Sequence, residues 1–246
     1  MNISIIKEYN ENGYLLHIAE LPGAYARGKV FPEAMSKIPT EVRRYEQWCG
    51  LEPDNTFFMK IVEEKETSLD VADADSDVLF ESEREPLSRE EYDALKALCL
   101  RSADDFLTLY SAVSDKSKVL REARDTFYGK CPATAEEIYN HSSGIVGYYF
   151  GEIGIADKLS GDILESRKAG FEALEKTPDF LANKAFVGGD GEEWTLRKVC
   201  RRFIWHDRIH AKSLYRLVTA AEGEDALPDP FCFGKAKYAY NIVTFI

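Results

Sequence analysis

Apolar and polar positions alternate at the start of the chain. From Ile3 to about Tyr9, and again from Tyr14 to Ala19, short apolar runs flank Glu11-Asn12-Gly13, and the Asn-Gly pair predicts a β-hairpin. Leu21-Pro22-Gly23 breaks the second run. Ala24 to Val30 predicts a third strand, and the segment from Pro32 to Trp48 has helical composition, with Pro39 marking a kink or a late start. Thr56 to Val62, rich in Phe and β-branched residues, predicts a closing strand. The order β-β-β-α-β makes residues 1–66 a small α+β domain.

Beyond Pro86 the periodicity becomes helical. Ser88 with Glu91 three residues on is a capping box, opening a helix through Tyr92, Leu95, Leu98, Phe106 and Leu109. A shorter helical segment is expected around Lys116 to Tyr128. Longer helices are expected from about Ala133 to Ile153, from Gly161 to about Phe180, and from about Glu193 to Ala221. Four major helices predict an all-α four-helix bundle. Residues 88–246 form this second domain, whose aromatic tail (Phe231, Phe233, Tyr238, Tyr240, Phe245) should pack back on one of the domains or on a second subunit. Residues 67–87, rich in Asp and Glu, read as an acidic linker.

Composition narrows the function classes. With 246 residues, 45% of them hydrophobic, the chain can bury a sizeable core. It opens without a charged, then apolar leader pattern, and no stretch approaches the roughly 20 apolar residues that span a bilayer, so a cytoplasmic location and no membrane partner are expected. The formal net charge is −12, yet residues 63–91 hold twelve acidic against three basic side chains, so the acidity is local. No basic cluster favours a nucleic-acid backbone as partner. Five widely spaced cysteines without a C-x-x-C pair fit reduced thiols. Asp73-x-Asp75-x-Asp77 imitates the opening of a calcium loop, but Val78 stands where Gly is needed and Arg84 where a bidentate Glu is needed, which argues against calcium.

The chemistry resides in histidine. Of four in the chain, His141 falls in the seam Ile138, His141, Ile145, Tyr148, Glu152 of one predicted helix. His206 and His210 fall in the seam Leu196, Val199, Phe203, His206, His210, Ser213, Leu217 of another. An isolated histidine on an apolar face is ordinarily a hydrogen-bonded core residue, and that reading stays open for each. Three seam histidines with an H-x-x-x-H pair instead suggest the ligands of one divalent metal, because an i, i+4 pair lies one turn apart on one face and a third nitrogen from another helix completes a cap. Three imidazoles leave the ion coordinatively open and suit zinc, nickel, iron or copper without choosing among them; the expected cofactor is a divalent metal, zinc or nickel ahead of iron. A zinc-bound water can have its pKa lowered to about 7.

Other polar residues have expected places around this site. Glu137 and Asp207 are candidates to orient the imidazoles, with a solvated flank as the alternative. Glu152 lies about 16 Å along the helix from His141, too far for the same ion. Gly144, Gly147, Gly151 and Gly154 form a stripe that suggests close approach of a neighbouring element. Arg197, Arg201 and Arg208 are expected on a solvated face, Arg202 at the seam edge where it can attract an anion, and His17 in a structural role. No nucleophile elbow is present.

Two family resemblances add to this reading. Ile138-Tyr139-Asn140-His141, Tyr148-Tyr149, Glu193-Trp194-Thr195-Leu196-Arg197 and Trp205-His206-Asp207-Arg208-Ile209-His210 make residues 88–221 resemble the DinB-like metal-binding four-helix bundles, which include thiol-dependent S-transferases and isomerases. That resemblance implies metal ligation by His141, His206 and His210 and an open pocket for a small molecule. Gly13-Tyr14-Leu15, Glu20-Leu21-Pro22-Gly23 and Phe31-Pro32-Glu33-Ala34 make residues 1–66 resemble the HicB-like antitoxin fold, which implies a sheet edge offered to a protein partner or a second copy. The expected function is therefore that of a metal-dependent enzyme acting on a small molecule, such as a thiol-dependent S-transferase. The alternative is a non-catalytic binding or sensing protein that recruits its partner through the sheet.

Overall fold

The computed structural model describes residues 2–52, 57–156, 159–189, 191–234 and 244–245. The fold is mixed α/β, with a small N-terminal sheet followed by helices. It divides into two compact units, Met1–Phe80 with Phe231–Ile246, and Glu81–Pro230.

In the first unit, β1 (Asn2–Asn10), β2 (Gly13–Ile18), β3 (Tyr25–Gly28), α1 (Phe31–Trp48) and β4 (Phe58–Glu66) follow the expected order. The hairpin register runs from Ile5 opposite Ile18 to Asn10 opposite Gly13. Its two turn residues are therefore Glu11 and Asn12, and the Asn10 side-chain oxygen accepts from the Asn12 N–H at 2.9 Å. β4 adds parallel to β1, giving the order β3-β2-β1-β4, and Thr244–Phe245 adds a short further strand on β4. Helix α1 continues through Pro39. Ile3, Ile5, Leu15 and Leu16 are all buried, and because adjacent strand residues such as Leu15 and Leu16 point to opposite faces, the sheet is covered on both sides; Ile38, Val42 and Trp48 lie on the buried face of α1. Of the expected closing strand, Thr56 lies outside the described residues.

The segment expected to be a linker does not behave as one. Val71, Val78 and Phe80 are buried, and Val78 and Phe80 pack with Ile6. Ser76 donates to the buried Glu8 carboxylate, which also meets His17 Nε2 at 3.0 Å. Residues 67–80 thus belong to the first unit, because their apolar side chains cover the sheet despite the acidic residues between them. Phe231 and Phe233 of the tail are likewise buried in this unit, with Phe231 5.6 Å from the Trp48 ring. Tyr238 and Tyr240 lie outside the described residues.

The second unit contains, among the described residues, four α-helices: α2 (Arg89–Ser111), α3 (Ala135–Gly151), α4 (Ile163–Leu174) and α5 (Leu196–Glu222). Each of α2 and α3 packs on both α4 and α5. Side chains set where they start. Ser88 with Glu91, Thr134 with Glu137 and Asp162 with Glu165 form reciprocal capping boxes, and Thr195 caps α5 by accepting from Lys198 N–H. The core joins the helices through aromatic edges, Phe150 lying 5.2 Å from Phe171 and 5.1 Å from Phe203.

Two expected helical stretches are corrected. Residues 116–128 are not helical: the chain forms a loop ending in the hairpin of β5 (Asp125–Thr126) and β6 (Gly129–Lys130). Gly129 there takes φ +107°, a conformation that favours glycine and closes the turn after Phe127-Tyr128. Glu193 and Trp194 likewise belong to a strand, β8, paired with β7 (Phe186–Val187), so α5 begins three residues later than expected. The glycine stripe is a third correction. A side chain at Gly144, Gly147 or Gly151 would meet nothing within 4 Å, whereas one at Gly170 of α4 would lie 2.1 Å from a carbon of the buried Phe150 ring.

These two environments set opposite expectations for one substitution. Gly144→Ala should stabilise the protein by up to about 1 kcal/mol through helix propensity alone. Gly170→Ala should destabilise it by about 1–3 kcal/mol, because a ring cannot be moved out of a packed core cheaply. Urea denaturation of the two variants checks both signs.

Candidate metal centre

The capping box at Thr134 sets the register of α3. Its buried residues are Ala135, Ile138, Tyr139, Ser142, Val146, Tyr149 and Phe150, so the apolar face is turned from the expected seam by about one residue. The line His141, Ile145, Tyr148 falls on the flank of that face: His141 and Ile145 are half-buried and Tyr148 is exposed. Helix α5 is buried around most of its circumference from Leu196 to Ala211, and His206 and His210 are both buried. Toward its end Leu214 and Val218 take the buried places expected for Ser213 and Leu217.

The three histidines meet. One ligand nitrogen from each of His141, His206 and His210 lies within 4.8 Å of the others. Ring centroids are 5.1 Å apart for His141 and His206, 4.6 Å for His141 and His210, and 4.4 Å for His206 and His210. Among the described residues this is the one group of three or more ligating side chains placed to share an ion.

The cluster fits a cation on chemical grounds. Burial, then the neighbouring His210 and His141, and then Arg202 and Arg167, hold the His206 pKa well below the ordinary imidazole value. Burial lowers that of His141 too. These two rings are therefore neutral at physiological pH, the state in which an imidazole ligates a metal. Moreover, His206 Nδ1 is buried without a hydrogen-bond partner. An unsatisfied buried polar atom costs about 1–3 kcal/mol. The three imidazoles can hold a divalent ion, which would give such nitrogen lone pairs an acceptor.

The candidate orienting carboxylates are engaged elsewhere. Glu137 is spent on the N-cap of α3, where its carboxylate accepts from the Ala133 and Thr134 N–H groups at 2.8 and 3.1 Å. Those bonds hold its pKa below the usual carboxylate value. Asp207, adjacent to His206, points away from the cluster and binds Arg167 and Ser102, with Arg167 Nη2 3.1 Å from its Oδ1 and Ser102 Oγ 2.7 Å from its Oδ2. Both Asp207 and Arg167 side chains are fully buried. Glu152 sits at the far end of α3 as its C-cap.

The arginines expected on a solvated face are mostly buried. Arg201 is paired with Glu83 at 2.5 Å and Arg208 is fully buried. Arg197 donates to the Glu85 and Pro86 carbonyls at 2.9 and 2.7 Å. Helical periodicity assigns polar residues to the outside, but here α5 has protein on nearly every side along its first half, and its buried Arg201 and Asp207 pair with Glu83 and Arg167. The Arg202 charge is near enough to contribute to the lowered His206 pKa, and its guanidinium lies 4.7 Å from the Trp205 ring and 5.6 Å from that of Tyr149.

Tyr128 joins the site unannounced by the sequence pattern. Its ring centroid lies 4.8 Å from that of His141, with the planes 31° apart. Reading residues 116–128 as helical hid it. The usable signal was Phe-Tyr-Gly, an aromatic pair ahead of a turn glycine.

No protein-family model, curated protein or solved structure matches the chain, which leaves the site itself to argue function. Removing Asp207 should leave Arg167 buried and unpaired. Asp207→Ala is therefore expected to lose about 3–5 kcal/mol of stability, whereas Lys37→Ala, which removes one partner of a solvent-exposed pair with Glu33, should leave stability nearly unchanged. Denaturant titration of both variants measures the difference.

Proposed function

We propose that the second unit is a DinB-like four-helix bundle in which His141, His206 and His210 hold one divalent cation, zinc or nickel before iron, and that the protein acts there on a small molecule as a metal-dependent enzyme, with thiol-dependent S-transfer as the model reaction. The observation that carries this reading is the convergence of three ligand nitrogens within 4.8 Å from two helices. Supporting it are the low pKa values of His141 and His206 and the unpartnered Nδ1 of His206. A bound cation of this kind supplies Lewis acidity, stabilising the deprotonated form of a thiol or similar donor. The chain's own part is to fix the imidazoles on two capped helices, to leave a coordination position to the substrate, and to place the Arg202 charge beside it.

A specific observation favours a second reading. Glu137 and Asp207, the nearby carboxylates suited to moving a proton, are committed to a cap and to a buried ion pair. A site without them suits binding or sensing better than acid–base catalysis. In that reading the HicB-like sheet of the first unit recruits a protein partner or a second copy along β3, the terminal strand of the sheet. Lys37 Nζ already donates to the Arg27 carbonyl of that strand at 2.7 Å, which narrows the edge on offer. A cytoplasmic location is part of both readings; no described helix is long and apolar enough to cross a membrane, and Cys99, Cys131 and Cys200 form no disulfide.

Elemental analysis of the purified protein should find one divalent ion per chain, lost in His210→Ala while the far-ultraviolet circular dichroism is kept. Chelation of the wild type should lower its thermal midpoint. At free metal one hundred times the dissociation constant the bound ion contributes about 2.7 kcal/mol, equivalent to roughly 5–10 °C for a protein of this size. An unchanged midpoint and unchanged metal content in His210→Ala would overturn the metal reading.

A further inference from the structure

The imidazoles are not equally accessible. His206 and His210 are buried within the unit, and His141, on the flank of α3, is half-buried. The way in therefore lies on the α3 side. There the surface is aromatic. The tip of the β5–β6 hairpin presents Phe127, 53% exposed, and Tyr128, 38% exposed, with their rings 4.9 Å apart, and Tyr128 lies over His141. Along α3 the same flank continues through Ile145 to Tyr148, 42% exposed, about 10 Å from His141 along the helix axis.

The segments flanking the hairpin anchor it. Arg121 donates from Nε to the Pro132 carbonyl at 2.7 Å and approaches Ser213 Oγ on α5 at 3.4 Å, one turn beyond His210. The Tyr128 hydroxyl is 3.9 Å from Cys131 Sγ, within the hairpin's own base, so it is the ring and not the hydroxyl that meets His141. Aromatic surface left exposed in this way would gain from being covered by an apolar group. Two of them beside a polar cluster, with a third along the same flank, form the mixture found in small-molecule sites, an apolar wall and a few convergent polar groups.

Resting on the metal reading above, we infer that the site takes a small amphipathic ligand: a donor atom that completes the coordination left open by three histidines, attached to a flat apolar group that lies against Tyr128 and Phe127. Tyr128 is then a specificity-determining residue, selecting for the apolar group by stacking, and the donor is selected by the cation. No further His, Cys, Asp or Glu among the described residues joins the three imidazoles as a fourth ligand, so the coordination requirement falls on the ligand.

The test uses the full chain loaded with Co(II), whose visible spectrum reports both uptake and coordination, and two probes with one donor group and different bodies, acetohydroxamate and benzohydroxamate. Benzohydroxamate is expected to bind the wild type at least about tenfold more tightly, the 1.4 kcal/mol scale of one stacking contact. Tyr128→Ala should keep full cobalt uptake and lose that preference, and Tyr128→Phe should retain it, since the ring and not the hydroxyl is used. Equal affinity of the two probes for the wild type, or a preference that survives in Tyr128→Ala, overturns the inference and leaves the metal reading standing. Failure of the wild type to take up cobalt overturns the metal reading and this inference with it.

Discussion

The buried pair of Arg167 and Asp207 constrains everything built on α5. Both side chains have no exposure, Ser102 adds a third partner from α2, and Arg167 also donates to the Cys99 carbonyl at 3.1 Å. Three helices are thereby tied at one point. A pair of charges in a core contributes little net stability over an apolar replacement, but it admits only arrangements in which the two groups meet. In a helix successive side chains diverge by about 100°. Fixing Asp207 toward α2 and α4 consequently turns His206 and His210 toward α3, where His141 waits. The orientation of the candidate site is thus set by a neighbouring residue that takes no part in it.

Much of this was visible in the residues alone, and the reasons are local. Ser88 and Glu91, Thr134 and Glu137, and the H-x-x-x-H spacing need only adjacent positions to act, so their consequences survive any tertiary arrangement. The first unit's strands were legible because alternation over a sheet is equally local. What could not be read were properties of packing. The α3 seam chosen for His141 differs from the buried face by about one position, because two adjacent stripes, Ile138-His141-Ile145 and Ile138-Ser142-Val146, both look apolar enough to face a core. The error kept His141 in the site while moving it to the rim, which is what makes the cluster reachable.

Charge misled in the same way at two places. Residues 67–80 look like a solvated linker on average, but burial is decided residue by residue, and Val71, Val78 and Phe80 bury themselves while the intervening acids stay partly outside. Arg201 and Arg208 look like a solvated stripe on a helix assumed to have one exposed side. Helix α5 has almost none along its first half, so Arg201 must find Glu83, and Glu83 lies in the very segment whose charge suggested a linker. A sequence distant by 118 positions supplied the partner. The glycines reverse the usual argument too: Gly144, Gly147 and Gly151, in a stripe on α3, face open space, whereas Gly170, isolated on α4, is a helical glycine that admits a neighbouring ring.

Electrostatics finally limits what such a centre can bind. Three neutral imidazoles leave the full charge of a dication uncompensated, and Arg202 and Arg167 add positive potential at His206. The carboxylates that would offset this, Glu137 and Asp207, are turned to other duties. A cation held here is therefore more electrophilic than one with a carboxylate in its ligand set, and it gains most from a ligand that brings negative charge. An anionic donor satisfies that demand, and the exposed rings of Phe127 and Tyr128 exert no charge of their own against the body of the ligand. Charge at the metal and apolar surface at the hairpin thus impose separable requirements on one molecule, because they act on different parts of it.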